Sequence, residues 1–153
     1  MSFPLLTFGC LGVGGVYMSW SDLTRRRLPN TAAAILALAG LLGGGLMLGT
    51  QHAFSSLLHL LIALGIGICA FALNLVGSGD AKYYAAAAGW FPLSEAFRLL
   101  GWVALIGFVI AALWLVGLRF GPSHASDDSD FDKVPFGLAI AAGSVLASAG
   151  LIR

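Results

Sequence analysis

The chain has 153 residues, 59% of them hydrophobic and 10% charged, with a mean hydropathy of +0.93. A soluble domain carries about 25% charged residues, so an ordinary soluble fold is excluded. The net charge of +1 offers nucleic acid no footprint, and the 21 glycines follow no triplet period.

A membrane span takes roughly 20 apolar residues, so six spans would use about 120 and leave short connections. Residues 1–153 therefore read as a single all-α, polytopic membrane domain with about six transmembrane helices. The first covers 3–20. With no basic residues ahead of it and no small-residue cleavage site before a soluble protein, it reads as a retained helix, not a signal peptide. A polar loop, about 21–30, carries Asp22, Arg25, Arg26, Arg27, Pro29 and Asn30. Asn30 reads either as the cap of the second span, 31–48, or as a hydrogen-bond partner for a nearby carboxylate.

The third span is placed at 53–76 after a polar turn. His52 and His59 flank its start without a metal-like set of partners. Asn74, polar in an apolar helix, is expected to make an interhelical hydrogen bond. Gly77-Ser78-Gly79-Asp80 breaks that span, and a short fourth helix, 81–90, follows. Its Tyr83 and Tyr84 are expected to anchor at the membrane interface, and 85–88 to form a smooth packing face. The fifth span ends at 118. The loop 119–133 is the one sustained polar stretch; its acids at 127–132 lack the glycine and terminal glutamate of a calcium loop. The sixth span is 134–152. Cys10 and Cys69 lie within spans and read as unpaired core thiols.

Sidedness follows from the basic residues. Six alternating crossings put Arg25, Arg26, Arg27, Lys82, Arg119 and Lys133 on the cytoplasmic side, against Arg98 and Arg153 outside. Loops 21–30, 77–82 and 119–133 are then cytoplasmic. Asp22 and Asp80, 58 residues apart, end the first and third spans at the same face. A carboxylate near lipid is costly and points to function. Two brought close share a proton, so one acts as base while the other acts as acid. Such a pair can activate water against a peptide bond without metal or cofactor. The same residues also suit helix capping or ion coupling, and spacing alone leaves all three open.

The motifs narrow the choice. Asp22-x-x-Arg25-Arg26-Arg27-Leu28-Pro29-Asn30 and Gly77-Ser78-Gly79-Asp80-Ala81-Lys82 resemble the two signatures of type IV prepilin peptidases, the second containing their Gly-x-Gly-Asp element. Lys133-Val134-Pro135-Phe136-Gly137, followed by 139–143, is similar to the motif opening that family's last helix. The resemblance implies an intramembrane aspartyl endopeptidase of the bacterial cytoplasmic membrane. It would remove the basic leader of prepilins or pseudopilins at the cytoplasmic face, with Asp22 and Asp80 catalytic. Gly77, Gly79, Lys82, Arg25, Pro29 and Asn30 would support the dyad or the substrate, and no cofactor is implied. Many members also N-methylate the new terminus and carry an insert with paired Cys-x-x-Cys motifs. This chain has only two separated cysteines and resembles the short, protease-only form of tight-adherence (Flp-type) systems. Leu28, where isoleucine is commoner, is a small departure. The acidic loop reads as solvated or as an attractor of a basic leader. Two other classes stay open: an ion-coupled carrier, and a non-catalytic factor of the pilus assembly machinery.

Overall fold

The computed structural model describes residues 3–25, 29–120 and 136–150. They form α1 (Phe3–Arg25), α2 (Asn30–Leu48), α3 (Thr50–Ala72), α4 (Ser78–Ala88), α5 (Ala96–Phe120) and α6 (Phe136–Ala149). A 3-10 turn, Leu93–Glu95, leads into α5. No strand occurs among the described residues, as the apolar periodless runs of the sequence require, and the protein is all-α.

Length separates these helices into two kinds. Phe3–Ser21, Asn30–Leu48, Thr50–Ala72 and Leu93–Leu113 are long and apolar enough to cross a membrane. The 11 residues of α4 extend about 16 Å, short of a hydrocarbon core of about 30 Å, and the described part of α6, 14 residues, extends about 21 Å. The chain still alternates direction. Near the start of α4, Lys82 Nζ donates to Asn30 Oδ1 at the start of α2 (3.1 Å). Beyond its end, the Trp90 indole N–H donates to Leu36 O (2.9 Å), and Leu93 N–H donates to the Ser55 hydroxyl near the start of α3 (3.0 Å). The turn after α4 thus completes most of the descent, and α5 returns from the far end. There it meets the end of α6, where a Cβ on Gly150 would lie 3.0 Å from Arg98 Nη1.

The core is built around α4, which packs against α2, α3 and α6. Ala85, Ala86, Ala87 and Ala88 are all buried, as are Trp90 and Phe91. Small side chains on every face let neighbouring helices approach closely, so the second half of this short helix is enclosed all round. Gly40 makes room for the anchor, because a Cβ there would lie 2.7 Å from Trp90 Cδ1. On the other side, a Cβ on Gly143 would lie 2.6 Å from Val103 Cα, so α5 and α6 touch backbone to backbone. Large apolar residues such as Leu46, Val13 and Phe108 point outward, which suits a lipid surround.

Several local expectations change. The third helix begins at Thr50 and ends at Ala72, so His52 and His59 both lie inside it. His59 is buried, with Nδ1 3.0 Å from Phe91 O; a carbonyl only accepts, so Nδ1 carries the proton. Asn74 is exposed and makes a turn instead of an interhelical bond. It adopts φ 56°, its N–H donates to Phe71 O, and Leu75 N–H donates to Ala70 O. This paired closure ends a helix, and asparagine tolerates the left-handed conformation it needs. Tyr83 is a core residue, not an interface anchor, at 1% exposure. Arg119 lies within α5 and not in the loop. Cys10 is partly buried but Cys69 is exposed on α3, and both are free.

Candidate active site

Asp80 is the third residue of α4, after Gly77 at the N-cap position, Ser78 and Gly79. A carboxylate in a first helical turn suits the positive end of the helix dipole, so part of its placement is ordinary helix chemistry. Gly77 shows a further constraint. Its φ of −71° and ψ of 146° are open to any residue, so backbone freedom does not require glycine. Space does: a Cβ on Gly77 would lie 2.9 Å from Asp80 Oδ2. The carboxylate folds back over the glycine, and any larger residue would displace it.

Asp22 stands in the last turn of α1. The helices that carry the two aspartates meet lower down. A Cβ on Gly15 would lie 3.4 Å from Tyr83 Oη and 3.1 Å from Ala141 Cβ, so α1, α4 and α6 converge there. Position 22 is two turns beyond Gly15, about 10 Å further along α1. Asp80 is one turn before Tyr83, about 4.5 Å along α4. Since α1 and α4 run in opposite directions, both displacements lead to the same end of the bundle.

The two motif segments are joined directly. The bond from Lys82 to Asn30 spans 52 residues of sequence. Pro29 takes the N-cap position of α2 and offers no side-chain cap. Asn30 is the first helical residue, so its expected role as the cap gives way to this link with the second motif. Arg25 closes α1. Arg26, Arg27, Leu28, His124, the acids at 127–132, the residues 133–135 and Arg153 lie outside the described residues.

Two features had no sequence signal. The first is a cavity of about 610 Å³ bounded by α3, α4, α5 and α6, with Asp80 in its wall. The second is a pair of buried hydroxyls without hydrogen-bond partners, Ser19 Oγ and Tyr83 Oη. Ser19 is one turn from Gly15 towards Asp22, on the face of α1 that meets Tyr83. Among the described residues, no three His, Cys, Asp or Glu side chains gather as a metal site would need.

The sequence profile of the type IV leader peptidase family matches residues 6–118. The match spans Asp22, Asp80 and both motif segments joined by the Lys82–Asn30 bond, and stops before the stretch that opens α6. No curated protein and no solved structure matches the chain. A match over well over half the length, on a bundle of apolar helices, shows that this multi-pass membrane protein belongs to the type IV leader peptidase family and is a peptidase of that kind.

Proposed function

We propose that the protein is an intramembrane aspartyl endopeptidase that removes the basic leader from Flp-type prepilins or pseudopilins, with Asp22 and Asp80 as its catalytic pair. The observation that supports this reading is the approach of Tyr83 to Gly15 beside α6, from which antiparallel α1 and α4 lead positions 22 and 80 towards the same end of the bundle. The matched family supplies the reaction class.

In this mechanism, one carboxylate takes a proton from a water held between the pair. The water oxygen attacks the carbonyl carbon of the scissile peptide, and the other carboxyl group protonates the carbonyl oxygen. The tetrahedral intermediate then collapses as the nitrogen takes up a proton, releasing the leader acid and a new amino terminus. Each step moves a proton between groups already present, so neither a metal nor a covalent intermediate is needed. Gly77 clears space for the Asp80 carboxylate, Lys82 and Asn30 hold the two motifs together, and Gly79, Arg25 and Pro29 complete the segments around them. The Arg25–Arg27 run supports a cytoplasmic position for this end of the bundle, and the family resemblance supports a bacterial inner membrane.

The test is cleavage of a co-purified Flp-type prepilin by the wild type, Asp22→Asn and Asp80→Asn proteins in detergent. Wild type should cleave, and each variant should stay folded and inactive. Cleavage by either variant at the wild-type rate would reject the pair. Cleavage by none, with movement of an ion across sealed vesicles instead, would favour the carrier.

A further inference from the structure

The cavity beside Asp80 is a groove with one open side. α3 packs against α4, and α5 against α6; between α3 and α5 the groove runs along the bundle, floored by Ala81, Tyr84 and Ile140. Asp80 and Ala70 line the end near the motifs, and His59 and Leu93 the far end. From Ala70 to His59 along α3 is about 16 Å, the length of roughly 11 helical residues. Apart from Asp80, His59 and Tyr84 the lining residues are apolar. Its rim residues turn outward: Phe97 is 87% exposed, Ile66 65% and Leu100 51%. In a bilayer the open side therefore faces the acyl chains, not water.

We propose that this groove seats the apolar helix that follows the scissile bond in the substrate, admitting it sideways from the lipid between α3 and α5. The inference rests on the peptidase reading above and adds to it a location and a direction of approach. Continuity with Asp80 fixes the occupant. The groove ends on a carboxylate, so its ligand needs a polar, extended segment there and an apolar body along the rest. A peptide bond just ahead of an apolar helix has that order. Size agrees: 610 Å³ over about 16 Å gives a cross-section near 40 Å², about half that of a helix 10 Å wide. One face of a helix would seat against Ala63, Gly67 and Ala70, whose small side chains permit close approach, and the other face would remain in lipid.

The test uses the full chain in liposomes with two substrates: a prepilin carrying its complete apolar helix, and a short water-soluble peptide across the same bond. Ala104→Trp and Ile62→Trp would fill the groove from opposite walls, away from Asp80. Each should lower kcat/KM for the helix-bearing substrate at least tenfold while changing that for the short peptide less than about threefold. Val13→Trp, on the outward face of α1, should change neither. Equal loss on both substrates, or loss on neither, would overturn the proposal. Single cysteines at Ala104 and along the substrate helix, with Cys10 and Cys69 replaced, give an independent readout. Cross-links should repeat every three to four substrate residues and persist in Asp80→Asn. Cross-links only between two copies of the enzyme, or none because lipid alone fills the groove, would also overturn it. If cross-links form but wild type cleaves neither substrate, the peptidase reading fails and the docking site stands.

Discussion

The two ends of α4 differ sharply in burial. From Ala85 to Phe91 every residue is buried, and three hydrogen bonds pin the turn beyond it, through Trp90 to Leu36, His59 to Phe91 and Leu93 to Ser55. At the other end Gly77, Ser78 and Lys82 are exposed, and Gly79 and Asp80 are half-buried. The anchoring lies at one end and the carboxylate at the other. A helix of three turns transmits that anchorage as a rigid rod, so Asp80 is held in place while its surroundings stay open to a substrate. Breaking each end separately should therefore give separate failures.

The largest effect belongs to the open end. Asp80→Asn should reduce cleavage by about 10² to 10⁴, the usual span for losing a general acid or base, with little change in the unfolding midpoint. Trp90→Ala should do the reverse. It removes a fully buried indole and the second hydrogen bond on the Leu36 carbonyl, so a loss of about 3 kcal/mol is expected, read as a lower unfolding midpoint in detergent. Gly40→Ala tests the same anchor from the other side, and crowding Trp90 should cost about 1–3 kcal/mol. If Trp90→Ala lowered activity at a temperature where the fold was intact, the division between anchor and mouth would be too sharp.

Gly77→Ala tests the boundary itself. The backbone there accepts alanine, and the obstructing atom is the mobile end of a side chain, so stability should shift by less than about 1 kcal/mol. The displaced carboxylate should nonetheless lower kcat about tenfold or more, since small misplacements of a reacting group are costly. Unchanged kcat would mean that the carboxylate has other productive positions. Asn30→Ala should have a smaller effect, a few-fold at most, because the Lys82 bond is exposed and such pairs contribute little. Its signature would be recovery in Asn30→Asp, which keeps an acceptor for the lysine.

How much of this was readable beforehand depended on whether a residue acts through its neighbours in sequence or in space. Asp80 lies within one turn of both Gly77 and Lys82, so a short motif declares them, and the alanines at 85–88 announce close packing through composition alone. Asn74 misled because a polar residue after an apolar run looks the same whether it continues the helix or ends it; only φ distinguishes the two. Tyr83 misled for the opposite reason. Tyrosine next to a polar helix start commonly marks an interface, but here α1 and α6 close over it, and neither is near it in sequence. The groove was invisible because its walls come from four helices, and each wall alone is ordinary apolar surface.

Tyr83 also offers the finest test of the seam. Its hydroxyl is buried without a partner, and so is that of Ser19 on the facing side of α1. A buried hydroxyl left unpaired costs about 1–3 kcal/mol relative to one that is bonded, whereas removing it altogether can be neutral. Tyr83→Phe keeps the ring that fills the space beside Gly15 and deletes only the unpaired group. The expected outcome is a stability equal to wild type or higher by up to about 1 kcal/mol, with cleavage unchanged within twofold. A drop of tenfold in cleavage at unchanged stability would give the hydroxyl a part in the chemistry one turn away. In that case Ser19→Ala, on the facing surface, should shift the pH profile of cleavage in the same direction, since both groups would then serve a single polar path behind the carboxylates.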